Sequence, residues 1–460
     1  MTEPSFAARR LHFVGIGGAG MSGLALIVRT LGAEVSGSDR AESSYTERLR
    51  GAGIEPIIGH GAANLPEGAE LVVSTAIAED NPELVRAREE GLRVLHRADL
   101  LAELTRLKRS IVISGTHGKT TTAAMTAHVL LRCGREPAYL VGGELRTADA
   151  NAAWGAGEWL VAEADESDRS FLKLDRDVAV VTNVELDHHA TYRSPRELWG
   201  AFAQFVKPAT TVIAWEGARW GPPPVAGLYG ARPDERSAMR YGIEEGELAA
   251  QDVELLPLGS RFTVDGVRAR LRVPGEHNVL NALAALAACR EAGVPLAEAA
   301  PALEDFTGAA RRFEEHGATT GGARIFDDYA HHPTEVRATL EAARTLEPHR
   351  LVACFQPHLY SRTQELAREF GRALALADVV VVLDVYPARE RAEDYPGVSG
   401  LTVARTAAEA AAGRPVWWLP GMDDAERMLR ERLREGDVLL TLGAGDVVRL
   451  AERLSDGAQA

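Results

Sequence analysis

The segment SGTHGKTTTAAM, residues 114–125, has the residue types and spacing of a loop that binds nucleotide phosphates. It is shorter than a full Walker A motif, because Ile113 stands where that motif has its first glycine. The features that bind phosphate are nevertheless present. The glycines let backbone N–H groups face a phosphate, Lys119 can reach the outer phosphates and Thr120 can bind Mg²⁺. A glycine-rich turn with an exposed lysine is the alternative. The predicted nucleotide site comprises Gly115, Thr116, His117, Gly118, Lys119, Thr120 and Thr121.

A second glycine-rich stretch, GIGGAG at residues 15–20, fits the GxGxxG pattern of a diphosphate-binding turn. Asp39 follows where a Rossmann-type domain places the acid that binds a ribose. Taken literally the pattern predicts NAD, but its physical requirement is only a diphosphate at a helix N-terminus. A UDP-sugar meets that requirement equally well, and close strand-helix packing without a ligand is a third reading. The candidate glycines are Gly15, Gly17, Gly18 and Gly20.

Acidic and imidazole side chains follow two further apolar runs, in EADESD at 163–168 and NVELDHH at 183–189. Glu163 ends one run and His188 follows the other, so we expect both at the outer phosphates of the nucleotide. An oxygen-rich ligand set with one imidazole suits Mg²⁺ better than zinc. The other acids are credible as solvated loop residues: Asp165, Glu166, Asp168 and Glu185.

Polar clusters also occur in the second half of the chain. Asn278 and Asn281 begin a helical pattern, in which Asn278 is either an N-cap or a ligand contact. The stretches DDYAHHP (327–333), QPHLYSR (356–362) and DVYPARE (384–390) follow strand-like runs, where open α/β sheets bind ligands. Pro333 is predicted in the first turn of a helix. The candidate substrate contacts are Asp328, Tyr329, His331 and His332.

Strands alternating with helices must position these residues, and this alternation predicts a parallel α/β fold. Asp265-Gly266 between alternating runs predicts a hairpin, and residues 217–236 are predicted to be an irregular surface segment. A helix is expected from Asn278 to about Ala292. The predicted strands are residues 11–15, 34–39, 110–114, 159–165, 178–184, 323–327, 350–355, 378–385 and 437–442.

The composition is that of an ordinary globular protein, with 46% apolar and 25% charged residues in 460. A net charge of −15 argues against binding nucleic acid through a broad basic surface. The sequence has no apolar stretch long enough to span a membrane and no apolar N-terminal segment, so we expect a cytoplasmic protein. The widely spaced cysteines are predicted to be reduced core residues: Cys133, Cys289 and Cys354.

Taken in order, the motifs resemble those of the Mur ligases of bacterial peptidoglycan synthesis, and within that family the branch that adds L-alanine. The resemblance covers essentially the whole chain and rests on GIGGAGMSG, GTHGKTTT, EADESD, NVELDHH, GEHNVLNALAA, DDYAHHPTE and QPHLYSRT. It implies three α/β domains, a Rossmann-like UDP-sugar domain at 1–106, a central P-loop ATPase-type domain with a mainly parallel sheet at 107–307, and a Rossmann-like C-terminal domain at 308–460.

The resemblance also implies a role for each motif. Asp39, His60, Ser74 and Thr75 would contact the uridine nucleotide, and Lys119 would hold ATP phosphates. Thr120 with Glu163 would bind one Mg²⁺, and Glu163 with His188 a second. Asn278 and Asn281 would approach adenine. The C-terminal side would complete the nucleotide and substrate site with Arg312, Asp328, Tyr329, His331, His358 and Arg362.

The reaction implied is an ATP- and Mg²⁺-dependent ligation of L-alanine to the lactyl carboxylate of UDP-N-acetylmuramate through an acyl phosphate. Lys119, Glu163 and His188 would be the catalytic residues. Neither a nucleic acid nor a membrane is an expected partner, and the expected state is a monomer or a homodimer. The alternatives are a ligase that recycles a tripeptide onto the same sugar nucleotide, an NAD-dependent oxidoreductase and a non-enzymatic ATP-binding switch.

Two departures from the family pattern stand out. Some relatives use a carbamylated lysine as a metal ligand after the DH motif, but the first lysine here is Lys207, which fits the alanine-adding branch. That branch usually has arginine where this chain has Leu359. Arg362 or Arg389 is therefore the expected substitute for contacting the carboxylate of the amino acid. Ser167 stands where the tripeptide-recycling relatives have tyrosine.

Overall fold

The computed structural model describes residues 6–188, 191–217 and 237–456. The chain divides into two compact units, and each is described by itself. The first unit comprises Met1–Leu186, Thr191–Ala249 and Asn281–Leu303. The second comprises Asp187–Ala190, Ala250–Leu280 and Glu304–Ala460.

The first unit opens with a parallel sheet flanked by helices. Its strands are β1 (Arg10–Val14), β2 (Glu34–Asp39), β3 (Ile57–Ile58), β4 (Glu70–Val73) and β5 (Val94–His96). Its helices are α1 (Ala19–Thr30), α2 (Ser44–Gly51), α3 (Pro82–Glu89) and α4 (Arg97–Thr105). The strand order β3-β2-β1-β4-β5 reverses between β1 and β4, the kind of switch point where α/β sheets bind ligands.

The same unit contains a second, larger sheet. Its strands are β6 (Arg109–Ser114), β7 (Ala138–Leu145), β8 (Ala150–Ala153), β9 (Trp159–Glu163), β10 (Val178–Val181), β11 (Thr211–Trp215) and β12 (Ser237–Ile243). The helices are α5 (Lys119–Arg132), α6 (Pro195–Val206), α7 (Glu276–Glu291), which begins in the second unit, and α8 (Leu296–Ala302). The order is β12-β11-β10-β6-β9-β7-β8, and only the β7-β8 pair among these described strands is antiparallel.

The second unit begins its strands with β13 (Leu248–Leu256), which enters from the first unit, β14 (Gly259–Val264) and β15 (Val267–Leu271), paired antiparallel. Its main sheet contains β16 (Glu314–Ala318), β17 (Arg324–Asp328), β18 (Arg350–Phe355), β19 (Val379–Val382), β20 (Val416–Trp418) and β21 (Asp437–Leu442). Their order is β16-β17-β21-β18-β19-β20, parallel except for β16-β17. The helices are α9 (Pro333–Arg344), α10 (Tyr360–Leu374), α11 (Gly400–Ala410), α12 (Met422–Arg432) and α13 (Val448–Asp456).

The fold class can be predicted from the sequence because the parallel strands are buried on both faces of their sheets. The apolar residues at the centre of β6, β10 and β21 are buried, as in sheets covered by helices. The predicted α/β class with mainly parallel sheets is confirmed. The hairpin is confirmed as well, since Val264 pairs with Val267 and both turn residues have positive φ, +48° at Asp265 and +76° at Gly266.

Several local predictions were wrong or incomplete. Helix α7 begins at Glu276, so Asn278 lies inside it and is not its N-cap. Three strands end two or three residues short of their predicted ends: β9 at Glu163, β10 at Val181 and β19 at Val382. The strands that were not predicted are β3, β4, β5, β7, β8, β11, β12, β13, β16 and β20. Cys289 and Cys354 are buried free thiols, but Cys133 is partly exposed.

Other predictions have different outcomes. Pro333 is the first residue of α9, as predicted. Residues 218–236 of the predicted irregular segment lie outside the described residues, and the three domain boundaries stay predictions. Within the described ranges, no helix combines the length and apolarity needed to cross a membrane.

Candidate active site

The loop between β6 and α5 has a backbone that requires glycine. Gly118 precedes α5 with φ +80°. Gly115 has φ +142°, and a Cβ there would lie 2.1 Å from the Thr182 hydroxyl oxygen. A side chain is therefore excluded at Gly115, and the loop fits closely against the residues that follow β10.

The residues after β10 hold this loop by hydrogen bonds. The N–H groups of Thr116 and His117 donate to the backbone and side-chain oxygens of Asn183, at 3.0 and 2.9 Å. The Thr182 hydroxyl donates to the His117 carbonyl at 2.6 Å. Sequence reasoning did not assign Thr182 or Asn183 a role, although Asn183 opens a motif that it singled out.

Lys119 is enclosed at the start of α5 and is held by oxygen atoms. Its Nζ donates to the carbonyls of Gly115 and Thr116, at 2.6 and 3.1 Å, and to Glu166 Oε2 at 2.8 Å. Burial by itself lowers the pKa of Lys119, but the charges of Glu166 and Asp165 outweigh it and raise the pKa. Lys119 is therefore a cation at every physiological pH.

Glu166 corrects the prediction of solvated loop acids. Its side chain is 1% exposed, because it lies against the Lys119 ammonium group. The other three acids are also engaged: Asp165 pairs with Arg97 at 3.3 Å, Asp168 accepts from the Ser170 N–H, and Glu185 contacts His117 at 3.0 Å.

Thr120 and Glu163 lie together, as the magnesium prediction requires. Glu163 ends β9 beside β6, where Ile113 is its register partner. One carboxylate oxygen accepts from the Thr120 hydroxyl at 3.0 Å and the other accepts from the Gly142 N–H at 2.7 Å. Hydroxyl and carboxylate oxygens are the hard ligands that Mg²⁺ prefers, so this pair fits the ion. His188 belongs to the second unit, where its N–H donates to Asp187.

The two asparagines of α7 have different surroundings. Asn281 lies over the nucleotide loop: a Cβ on Gly118 would be 2.3 Å from its Oδ1, which accepts from the Thr122 hydroxyl at 3.3 Å. Asn278, in the second unit, donates from Nδ2 to the Pro274 carbonyl at 2.7 Å. Only Asn281 is thus placed against the loop within one unit.

The other glycine-rich loop follows β1 and is organised by Asp39. Asp39 Oδ2 accepts from the Gly17 N–H at 2.7 Å, and a Cβ on Gly17 would lie 2.8 Å from Thr46 and 3.0 Å from Asp39. Gly15 has φ +76°. Arg97, which sequence reasoning missed, places Nη1 3.1 Å from where a Cβ on Gly20 would lie.

Ser74 and Thr75 follow β4 and His60 follows β3, at the same edge of the sheet as Asp39. A buried carboxylate, Glu83 of α3, holds this edge together. Its Oε2 accepts from His12 Nε2 at 3.0 Å and from Ser38 at 2.7 Å. Its Oε1 accepts from the Gly61 N–H at 3.1 Å and from Asn64 Nδ2 at 3.0 Å. Burial raises the pKa of Glu83, but these hydrogen bonds outweigh it and lower the pKa to about 2.

In the second unit, predicted substrate residues gather after β17 and β18. Asp328 accepts from the N–H groups of Phe313 and Ala330, and burial raises its pKa to about 6. The Tyr329 ring lies against two guanidinium groups, with the Arg312 carbon 5.3 Å and the Arg311 carbon 5.0 Å from its centroid. The segment is strained, because Arg311 and Phe313 have φ of +58° and +49°.

His331 and His358 form the next part of this cluster. Their ring centroids are 5.9 Å apart, and His358 also stacks on Tyr386. Burial lowers the pKa of His331 to about 4 and that of His358 to about 3. Both imidazoles are therefore neutral at pH 7 and offer hydrogen-bonding nitrogens, not positive charge.

Arg362 is committed to a buried ion pair. Its Nε and Nη2 each donate to a carboxylate oxygen of Asp187 at 3.0 Å, and Nη1 lies 3.2 Å from His358 Nδ1. Burial would raise the pKa of Asp187, but the charge of Arg362 holds it well below its usual range. Arg389 is exposed, and Leu359 is buried with φ +71°. With Arg362 so engaged, Arg389 is the arginine of the two that is open to solvent.

Comparisons with known proteins agree with this geometry. Three family models match the chain: the Mur ligase family catalytic domain at residues 10–109, the Mur ligase middle domain at 113–289, and the Mur ligase glutamate ligase domain at 311–445. The chain belongs to the Mur ligase family. The three matches together cover most of its length.

Relatives and solved structures place the chain within this family. UDP-N-acetylmuramate–L-alanine ligase of Streptomyces coelicolor is 47% identical, over 98% of both chains. The enzyme of that name from Acidithiobacillus ferrooxidans is 46% identical over 96% of each. The crystal structure of UDP-N-acetylmuramate-alanine ligase from Thermotoga maritima has a TM-score of 0.82 and 30% identity, covering 98% of this chain and 99% of that one. The fold class and family predictions are thereby confirmed, while the individual site assignments of this Mur ligase stay predictions.

A first prediction concerns the Lys119–Glu166 pair. Replacing Lys119 with Met removes the cation from a buried carboxylate, so we expect a loss of about 1–3 kcal/mol in the free energy of unfolding. Adding Glu166→Gln should recover part of the lost stability, because no unpaired buried charge then remains. Thermal and urea unfolding of the single and double variants measures this coupling.

The matched control is Lys207→Met, which removes an exposed lysine at the end of α6 and should leave stability unchanged. If the loss of unfolding free energy in the Lys119→Met/Glu166→Gln double variant equals the sum of the two single losses, the pairing is contradicted.

A second prediction follows from the low pKa of Glu83. A folded-state pKa below the unfolded value contributes stability above the unfolded pKa and loses it as the pH falls toward the folded pKa. With values of 4.5 and about 2, that loss falls between pH 5 and 2, and it amounts to about 2 kcal/mol by pH 3. Unfolding measured from pH 6 to 3 should show a shallower decline in Glu83→Gln than in the unchanged protein. Parallel declines would show that Glu83 has an ordinary pKa.

Proposed function

We propose that this chain is an ATP-dependent ligase that joins L-alanine to the lactyl carboxylate of UDP-N-acetylmuramate in the cytoplasm. The observation that carries the proposal is the presence, in one unit, of two glycine-rich loops at the ends of parallel strands, after β1 and after β6. A ligase of this kind needs two such loops, one for the diphosphate of the sugar nucleotide and one for ATP. The names of the relatives supply the identity of the acceptor and of the amino acid.

The reaction needs an activated carboxylate, because a carboxylate has no good leaving group. The lactyl carboxylate attacks the γ-phosphorus of ATP, giving an acyl phosphate and ADP. The amine of L-alanine then attacks the acyl carbon, an amide bond forms and phosphate leaves with the bonding electron pair. In both steps the protein mainly positions reactants and stabilises charge, as in other phosphoryl transfers.

The first unit supplies the charge stabilisation for phosphoryl transfer. Lys119, kept cationic by Glu166, would exchange part of its contact with that carboxylate for phosphate oxygens of ATP. The N–H groups at the start of α5 add the positive end of a helix. Thr120 and Glu163 would hold Mg²⁺, with His188 as the further ligand that the family resemblance implies. Bound Mg²⁺ would neutralise charge on the phosphate oxygens.

The second unit would receive the amino acid. Neutral His331 donates from Nδ1 to the Tyr329 carbonyl, so its Nε2 can accept a hydrogen bond from an amine without repelling it. His358 accepts from Arg362 at Nδ1, so its Nε2–H is a donor. Tyr329 and Arg312 are proposed to contact the nucleotide and substrate from this side, together with Asp328. Arg389 is proposed as the partner of the L-alanine carboxylate, since Arg362 is held by Asp187.

Phosphate release from ATP and Mg²⁺ tests the proposed function. We expect turnover only when both UDP-N-acetylmuramate and L-alanine are present, and at least a hundredfold lower kcat/KM in Lys119→Ala. Glycine, L-serine and the tripeptide of the recycling reaction are the comparison amines, and Lys207→Ala is the control variant.

Each outcome of this assay has one meaning. Release with the tripeptide and not with L-alanine would assign the chain to the recycling reaction. No release with any amine would contradict the ligase proposal. A higher KM for L-alanine in Arg389→Ala, with the KM for ATP unchanged, would support the carboxylate contact.

A further inference from the structure

His60 lies where the base of a bound nucleotide is expected. In sheets of this type the diphosphate lies at the N-terminus of the first helix and the ribose lies beside the acid that ends the second strand. Here these are α1 and Asp39 of β2, so the base lies beyond β2 on the side of β3. His60 is the second residue after β3, and its side chain is 22% exposed, so a ligand can reach it.

The hydrogen bonds behind His60 determine which of its ring nitrogens carries the proton. Glu83 is ionised, and an ionised carboxylate only accepts hydrogen bonds. Ser38 Oγ, 2.7 Å from Glu83 Oε2, must donate its single proton to that carboxylate. The same oxygen lies 2.9 Å from His60 Nδ1, so there it accepts and Nδ1 is the donor. A neutral imidazole has one N–H group, and Nε2 is therefore left with a lone pair.

The same carboxylate also fixes the backbone around His60. Its other oxygen accepts from the N–H of Gly61, the next residue, and from Asn64 Nδ2. Glu83 is itself fully buried and further held by His12 Nε2. One charged group thus sets both the proton and the position of the imidazole. His60 Nε2 makes no hydrogen bond to any described residue, so the lone pair is available to a ligand.

We propose that Glu83, through Ser38, is a positioning residue that holds His60 as the Nδ1–H tautomer, so that Nε2 accepts a hydrogen bond from the N3–H group of uracil. This inference rests on the proposed function and adds a basis for base selection. Uracil has a donor at N3, whereas cytosine has an acceptor there. A lone pair on Nε2 attracts the first base and repels the second, which is how a buried hydrogen-bonding group produces specificity.

The tautomer can be measured without any substrate. In the whole chain labelled with ¹⁵N-histidine, the ring nitrogen shifts and couplings of His60, assigned by loss of its signals in His60→Gln, report which nitrogen is protonated. We expect an Nδ1–H ring in the unchanged protein and a shift toward Nε2–H or a mixture in Ser38→Ala. An Nε2–H ring in the unchanged protein would overturn the inference whatever reaction the chain catalyses.

Binding of two nucleotides tests the consequence for specificity. Calorimetry would compare UDP-N-acetylmuramate with its CDP counterpart, and we expect at least tenfold tighter binding of the uridine compound. The ratio of the two dissociation constants should fall toward one in Ser38→Ala and in Glu83→Gln. Ser36→Ala is the matched control, because this serine is on the same strand and bonds to His12 Nδ1 but not to His60. It should keep the preference.

Kinetics separate positioning from general damage. In Ser38→Ala the KM for UDP-N-acetylmuramate should rise about tenfold, with kcat and the KM for ATP unchanged. If Glu83→Gln does not fold, Ser38→Ala alone decides. A folded Ser38→Ala that keeps the full preference for uridine would overturn the inference. So would a wild-type penalty for the 2′-deoxyuridine compound that disappears in Ser38→Ala, since His60 would then face the ribose.

Discussion

The buried pair between Lys119 and Glu166 is the interaction on which the loop between β6 and α5, the proposed nucleotide site, depends. An ammonium group enclosed at the start of a helix would lose its proton or destabilise the fold without a nearby negative charge. Glu166 supplies that charge at 2.8 Å and keeps the lysine protonated in the absence of a nucleotide. In the proposed function, phosphate oxygens of ATP would take over a contact that already exists in the free protein.

Parallel pairing of β6 and β9 is what brings these groups together. Both strands end at the same edge of the sheet, with Ile113 in register with Glu163. The loop that contains Lys119 and the loop that contains Glu166 must then be neighbours, although 47 residues separate them in sequence. The same rule places Asp39, His60 and Ser74 at one edge of the first sheet. In each sheet a glycine-rich loop supplies backbone N–H groups, and the neighbouring strand of the sheet supplies the acid, Asp39 from β2 or Glu163 from β9.

Much of this site could be predicted from sequence because strand ends mark it. Glu163 was readable as the last residue of a buried run, and Asp39 as the acid beyond a glycine-rich turn. Glu83 and Arg97 were missed because nothing local distinguishes them: each is a charged residue in a polar helical stretch, and only tertiary structure buries the first and brings the second to Gly20. Glu166 was judged a solvated acid because its neighbours are polar, and the partner that buries it, Lys119, is distant in sequence. Asn278 was misplaced as a possible cap since helix ends are the least certain feature of a pattern.

In the proposed reaction, ATP activates a carboxylate of the sugar nucleotide. The most direct measurement uses UDP-N-acetylmuramate labelled with ¹⁸O in its lactyl carboxylate, with ATP, Mg²⁺ and L-alanine, and mass spectrometry of the phosphate released. An acyl phosphate leaves one carboxylate oxygen on phosphorus, so each phosphate released should contain one ¹⁸O atom. Phosphate without ¹⁸O, released with no amide formed or while the oxygen lost from the carboxylate appears in water or in AMP, would show that no acyl phosphate forms.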